Sequence, residues 1–451
     1  MRTLRVPNNL LRELLTEAGW TGQALASAIN ALGAETGLRL QYQRASVTQW
    51  LSGTHPRPPV PELVAEAFSR KLGRPITVAA TGLGPSEQAD PGPWWEEDAV
   101  TRLVELCEDG VARREVLAGC VYSLAALSLP GWADLISAHP SPPPEGSAAA
   151  RVGQAEADSA ATMIGLFSDT DTAFGGGRAR LALATYLRTT VAPWLRADAS
   201  SKVHRELLVT AARLTYLCGF MCFDDELHGA AQRYYLTGLQ LSGEAGDATG
   251  YAVTLRALSV QARLLGHHRE AVNLAESAAR VTTKVSTETR AFVYGQLAVA
   301  NAANGDQRSA HECLGAAEKQ LERVSSARTP VGAYHPAALS HQHAAIRACT
   351  GDRRGAITAL TTSVRHRPIG ERRSRAITLA RLAELQLDDG QLEQACGTWE
   401  RFLDDYPYLW SRRADTALHT LRARLRPHAK STCARSLLTK ATALSKAPSM
   451  G

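Results

Sequence analysis

The chain is poor in the residues that build sheets and cross-links. Aromatic residues make up only 6% of the 451 residues, and charged residues 21%. Ala, Leu and Arg dominate instead, which favours helix and disfavours a sheet-rich fold. Eight cysteines in so long a chain, without framework spacing, fit a reducing cytoplasm. Cys218 and Cys222 stand four apart, with no His or third Cys at ligand spacing, so they read as small core residues. There is no P-loop, no HExxH, no GxSxG and no paired Cys/His set. Enzyme is therefore the least supported class: no catalytic residue, cofactor or metal is expected. Leu10–Leu15 is interrupted by Arg12 and Glu13 and makes no signal peptide. The longest uncharged run, Val116–Ala133, contains Gly119, Pro130 and Gly131 and falls short of a membrane span. It reads as a buried helix. The expectation is a cytoplasmic, nucleoid-associated protein that meets no membrane.

What charge there is gathers at the ends. Residues 1–80 carry a net +4 and residues 411–451 a net +8, so the middle is mildly acidic. Basic ends suit a chain that meets a polyanion. Near the first end lies Arg44–Pro58, RASVTQWLSGTHPRP. Val47, Trp50 and Leu51 share one helical face, Thr48, Gln49 and Ser52 point away, and Gly53 suits a C-cap. Such a helix has an apolar back and a small, uncharged, hydrogen-bonding front able to reach base edges in a major groove. Arg44 and Arg57 flank it and could pin phosphates. Ser46 completes the candidate DNA-contacting set of Arg44, Ser46, Thr48, Gln49, Ser52 and Arg57. Trp50, on the apolar side, should dock the helix.

The surroundings agree. Leu10, Leu11, Leu14 and Leu15 stripe a first helix that Gly19 can end. Thr21 can cap a second, which buries Leu25, Ala26 and Ile29. Pro61 opens a further helix, ELVAEAFSRKLG, at a position proline prefers. This order, with SVTQWLSG and a Pro-rich turn, resembles the Cro/repressor-like (XRE) helix-turn-helix family over roughly residues 8–80. The resemblance implies double-stranded DNA as partner. The connection GAETGLRLQYQ is longer than the family's tight turn. Leu38, Leu40 and Tyr42 alternate in it with Arg39, Gln41 and Gln43, which predicts an extended piece like a small wing.

Beyond a Gly/Pro-rich linker at 81–93 comes a helical connector, 94–138, with Trp94, Leu103, Leu106, Val116, Leu117 and Leu124 as core. A Pro-rich linker follows at 139–150 and a helical pre-repeat segment at 151–206. Phe174-Gly175-Gly176-Gly177-Arg178 lacks a following Gly-Lys-Ser/Thr and reads as a loop, not a phosphate cradle. From Leu207 the chain repeats. Gly266-HHRE-Ala271, Gly305-DQRS-Ala310, Gly351-DRRG-Ala356 and Gly390-QLEQ-Ala395 read alike, after a degenerate Asp225-ELHG-Ala230. The alanines lie 41, 39, 46 and 39 residues apart. Thirteen residues before them stand Leu217, Leu258, Leu297, His343 and Leu382. One residue later stand the small Cys218, Ser259, Ala298, Ala344 and Ala383. A large apolar residue beside a small one lets two helices approach, Gly permits the turn and Ala the crossing.

This pattern resembles the tetratricopeptide repeat over Leu207–Tyr408, with His343 weakening the fourth copy. Trp399, Phe402, Tyr406 and Trp410 should close the last hairpin, and Ala414–Arg426 should cap it. That completes a repeat domain at 207–426, ahead of a basic tail at 427–451. The resemblance implies a concave groove with Arg256, Arg263, His341 and Glu384 on it and Asn301 beside it, suited to a peptide or protein ligand. The fold expected is all-α: an N-terminal helix-turn-helix bundle followed by an α-solenoid of tetratricopeptide-like repeats. The combination resembles Gram-positive quorum-sensing receptors and, more closely, large regulators of differentiation and antibiotic production in filamentous actinobacteria. A homodimeric transcriptional regulator is the function expected. The alternative is a tetratricopeptide-repeat scaffold that binds protein and no DNA.

Overall fold

The computed structural model describes residues 6–84, 95, 97–112, 120–137, 151–324 and 334–446. Every regular element among the described residues is helical. The N-terminal bundle holds α1 (Asn9–Glu17), α2 (Gly22–Glu35), α3 (Arg44–Leu51) and α4 (Val60–Leu72). Asn8 caps α1 and Thr21 caps α2, each side chain accepting an orphan backbone N–H. Gly19 and Gly73 follow α1 and α4 at positive φ. Leu11, Leu25, Ile29, Leu63, Val64 and Phe68 are fully buried between the four helices. Each such side chain stabilises the bundle by roughly 1.5–3 kcal/mol.

The connector departs from its sequence pattern. α5 (Ala99–Ala112) and α6 (Trp132–Ser137) are helical. Between them, within the run read as one buried helix, residues 120–131 carry only a 3-10 turn at Ala125–Leu127. Side chains of other elements take the backbone bonds a helix would have made internally. Gln232 both donates to and accepts from the Ser123 backbone, at 2.7 and 2.9 Å. The Leu124 N–H donates to Glu66, at 3.1 Å. The stretch is thus a strap laid between bundle and repeats. Leu103, Leu106 and Leu124 are buried as expected. The linker read at 81–93 begins too early: Thr81 and Leu83 are buried in the bundle. Trp94, Val116, Leu117, the rest of that linker at 85–93 and the linker at 139–150 lie outside the described residues.

Two helices precede the repeats. α7 (Gln154–Phe174) breaks at Gly175 alone, and α8 (Gly176–Tyr186) runs on through a π turn at Leu187–Val191. Five hairpins follow: α9 (Ser201–Asp224) with α10 (His228–Glu244), α11 (Ala248–Leu264) with α12 (His268–Arg280), and α13 (Thr287–Ala303) with α14 (Gln307–Leu321). The last two are α15 (Pro336–Cys349) with α16 (Arg353–His366), and α17 (Arg372–Asp388) with α18 (Leu392–Asp405). Gly266, Gly305, Gly351 and Gly390 all sit at φ between +80° and +88°. That conformation is why glycine marks each turn. Ala230, Ala271, Ala310, Ala356 and Ala395 are all fully buried where the helices cross. Ser259 shows how close they come: its hydroxyl donates to the Ala271 carbonyl of the facing helix, at 2.6 Å. Cys218 and Cys222 are core residues, as read. α9 has the length and apolarity of a membrane span, but most of it is buried among its neighbours.

The C-terminal end also differs from expectation. α19 (Arg412–Leu425) is the capping helix foreseen. The segment read as a basic tail forms a further helix, α20 (Thr432–Lys446), which packs on α18 and α19 through Ala434, Leu437 and Ala441. Trp399 and Phe402 fill the last hairpin. Trp410 does not: it docks on the first helices instead. Its N–H donates to the Phe174 carbonyl at 2.7 Å, and its carbonyl accepts from the Gly177 N–H at 3.0 Å. A Cβ on Gly175 or Gly177 would stand 2.6 or 2.9 Å from that carbonyl. The glycine run read as a loop is therefore a docking edge, and the repeats curl until the last hairpins meet the first.

Arg373 pins that closure. Buried on α17, it donates to Asp171 on α7 at 3.0 Å and lies 3.5 Å from Asp224 at the end of α9. Thr416 on α19 adds a hydrogen bond to Glu226, at 2.9 Å.

Candidate functional site

The face of α3 is arranged as its sequence implied. Val47 and Trp50 are buried, at 1% and 3% exposure. Arg44, Thr48, Gln49, Ser52 and Arg57 are exposed, and Ser46 is half-buried. The Thr48 and Ser52 hydroxyls donate back to the helix, to the carbonyls of Arg44 and Gln49. The Gln49 amide makes no such bond among the described residues, so its donor and acceptor both face solvent. The chain entering α1 crosses the end of α3, where the Asn8 N–H donates to the Leu51 carbonyl at 3.0 Å. Gly53 is obligatory there, since a Cβ would stand 2.3 Å from the Val6 carbonyl.

The long connection before α3 is not a wing. Leu38, Leu40 and Tyr42 are half-buried and Arg39, Gln41 and Gln43 exposed, as the alternation implied, but among the described residues no strand pairs with this segment. Asn30 replaces the missing partner strand: its side chain donates to the Tyr42 carbonyl and accepts from the Tyr42 N–H, both at 2.9 Å. The Tyr42 ring then meets Trp50 edge-on, centroids 5.3 Å apart. An amide closing on a backbone twelve residues away leaves no periodic signal in sequence.

The bundle touches the repeats through α4, not α3. Glu66 on α4 is buried, and its carboxylate serves three groups. It meets His267 Nε2 at 2.8 Å, accepts from Arg70 Nε at 3.0 Å, and takes the Leu124 N–H of the strap. Tyr122 of the strap stacks on the His267 ring, centroids 5.6 Å apart. His267 belongs to the second repeat turn, Gly266-HHRE. A residue singled out for its place in a repeat is thus also the contact to the bundle. Partners from bundle, strap and repeat together satisfy one buried carboxylate, as a group removed from water requires.

The residues read as lining a groove separate into three kinds. Arg263 and His341 are half-buried on the first helices of the second and fourth hairpins. The Arg263 side chain makes no ion pair among the described residues. Arg256, two turns earlier, is occupied: its guanidinium lies 3.6 Å from the Phe292 ring centroid. Glu384 pairs with Arg381 of its own helix, at 2.9 Å. Asn301 is misplaced in the sequence reading. It is 7% exposed and turns into its own hairpin, toward the Cys313 thiol. Sequence reasoning missed Arg413, which reaches from α19 to lie over Phe223 of the first hairpin, 5.1 Å from its centroid. No repeat register marks it, because it arrives by closure.

These cations act on one another. Burial, then Arg367, Arg413, Arg263 and Arg381, push the His341 imidazole down to about 3. Burial, then Arg70 and Arg413, push His228 down to about 4. An unfolded imidazole titrates at about 6.5, so between those values the folded chain binds fewer protons than the unfolded one. Stability from this source is present above pH ~6.5 and is lost as pH falls through the folded values. Urea midpoints are expected to drop over that window, and His341→Asn to flatten the drop. An unchanged slope in that variant would refute the assignment.

The family model described as the SP15 N-terminal domain matches residues 11–84, from α1 to the end of the described bundle. No curated protein matches the chain. Among solved structures, a crystal structure of nearly identical TPR-like repeats, described as those of a Podosopora anserina kinesin light chain, is similar to part of it. The identity is 20% and the TM-score 0.32, over 44% of this chain and 96% of that one. The repeat region is TPR-like on the strength of its own five hairpins.

Proposed function

We propose that the protein is a sequence-specific DNA-binding regulator of transcription, with α3 as the helix that enters the major groove and the repeats as its sensing domain. The observation that supports this is the division of labour in the bundle. α4 docks on the repeats through Glu66, while α3 and its flank present Arg44, Thr48, Gln49, Ser52 and Arg57 to solvent over a buried Val47 and Trp50. A free amide between two arginines suits bidentate recognition of adenine with phosphate contacts on either side. The XRE-like order of helices supports the same reading, and paired half-sites would then call for a homodimer.

Selection of bound fragments from genomic DNA, followed by mobility shift, tests it. Gln49→Ala should cost about 1–3 kcal/mol on the selected site and little on random DNA. Arg57→Ala should weaken both alike and lower the salt slope by about one. Site preference unchanged in a folded Gln49→Ala chain would reject α3 as the reading helix. Absence of any selective complex would favour the scaffold, which the TPR-like repeats also fit.

A further inference from the structure

The C-terminal end carries cations that the protein itself does not neutralise. Asp415 is the last acid of the chain, and seven Lys or Arg residues follow it. Two of them fasten the end to the last hairpin: Arg424 pairs with Asp388 beside the Gly390 turn, and Lys440 with Asp404 of α18, at 2.8 Å. Arg426, Lys430 and Arg435 are exposed and have no ion pair within 4 Å among the described residues. Glu393 of α18 is exposed and pairs with none of them.

The backbone gathers these three cations. After α19 the chain makes a 3-10 turn at Arg426–His428, with Pro427 fixing one φ. The Ala429 N–H donates to the Arg426 carbonyl at 3.2 Å, and the Ser431 N–H to the His428 carbonyl at 2.9 Å. Arg435, one turn into α20, folds back on this turn: its guanidinium donates to the carbonyls of Ala429 and Lys430, at 3.3 and 3.2 Å. Ala434, Leu437 and Ala441 hold α20 in the core beneath. Cations fixed side by side without an acid repel one another, and a polyanion relieves that repulsion. The surface also narrows the choice of polyanion. Residues 411–451 hold no aromatic residue on which unpaired bases could stack. No large apolar side chain of α19 or α20 is exposed among the described residues, as entry into a bilayer would require.

We propose that the Arg426–Arg435 turn is a second DNA contact, which holds the phosphate backbone of duplex DNA without reading its sequence. The proposal rests on the reading of the chain as a DNA-binding protein. It adds, at the far end of the chain from α3, a surface that supplies affinity where α3 supplies choice. Arg424 fixes this turn at the turn end of the fifth hairpin, and Glu66 with His267 fixes the bundle at the turn end of the second. Both attachments use turn ends of the repeats.

The test is the salt dependence of full-chain binding to a random duplex and to the selected site. Each phosphate neutralised contributes about −0.9 to the slope of log affinity against log salt. Arg426→Gln, Lys430→Gln and Arg435→Gln together should therefore flatten the slope by about two to three, equally on both duplexes. Arg426→Gln with Lys430→Gln, which removes no side-chain hydrogen bond among the described residues, should flatten it by about two and covers a triple variant that fails to fold. Lys319→Gln, Arg323→Gln and Arg365→Gln, exposed changes that remove the same net charge elsewhere, should leave the slope unchanged. An equal flattening in that control, or an unchanged slope in the folded double variant, would overturn the proposal. So would binding to vesicles of phosphatidylcholine and phosphatidylserine that the random duplex does not compete away. The two DNA readings fail separately. A selective complex with an unchanged slope would reject the C-terminal contact alone. A flattened slope on random duplex with no selective complex would reject only α3 as the reading helix.

Discussion

Arg373→Ala is expected to destabilise the repeats by about 3–5 kcal/mol, the cost of breaking a buried ion pair by removing one partner. Three elements depend on this one side chain. It bridges Asp171 of α7 and Asp224 of α9 from α17, and its guanidinium lies over the Phe220 ring, 4.8 Å from the centroid. Without it two carboxylates are left facing each other out of water. Burial already raises Asp171 to about 6, against the pull of Arg373. In the variant it should rise further and take up a proton, which limits the loss. The penalty should therefore be larger in mildly alkaline than in mildly acidic buffer. Arg373→Lys should recover only part, since an ammonium cannot reach both acids as a planar guanidinium does. Urea unfolding of the variants in the two buffers measures this. A melt unchanged by Arg373→Ala would mean that closure contributes nothing to stability.

Trp50→Ala should cost the bundle roughly 3–5 kcal/mol, the range for an aromatic side chain removed from a packed core. The indole is 3% exposed, meets Tyr42, and shares one core with the buried faces of α1, α2 and α4. Its loss should release α3 and the Asn30 clamp together, and any loss of the proposed DNA binding should then come through unfolding and not through a missing contact. Trp50 and Arg373 share no partner among the described residues, so a double variant should show the sum of both losses within about 0.3–0.5 kcal/mol. Amide exchange separates the two: Trp50→Ala should open α1 to α4, and Arg373→Ala should open α7, α17 and α19. A Trp50→Ala bundle that melts like the original would place this ring on the solvent side.

Elements with a period were legible; elements fixed by a single distant partner were not. The five hairpins announced themselves because turn, crossing and docking positions recur, and each recurrence answers a physical need that the structure shows: positive φ, zero clearance, close approach. Even the weak copy was informative. At the large apolar position His343 is only half-buried and lies 2.8 Å from Glu318, and the apolar core there divides into small clusters. α20 is legible too, since Ala434, Leu437, Ala441 and Leu444 keep helical spacing beneath the basic charge of that segment. The strap and the docking of Trp410 could not. Their hydrogen bonds join Ser123 to Gln232, 109 residues on, and Gly177 to the still more distant Trp410, with nothing local to announce them. The front of α3 was legible as a surface. Which groove-side cations stay unmatched was not, because pairing depends on what closure brings near.

The buried carboxylate of Glu66 has a consequence for how such a chain can change over generations. A bundle transplanted onto foreign repeats would carry an acid on α4 with neither the imidazole of His267 nor the Leu124 N–H to receive it. Repeats given a foreign bundle would expose the Tyr122 and His267 rings. Bundle, strap and second repeat turn are thus one packed unit, although the chain visits them far apart. An exchange of chain segments with its join between residues 84 and 95 would separate Glu66 from both Tyr122 and His267 and leave its carboxylate buried with Arg70 alone.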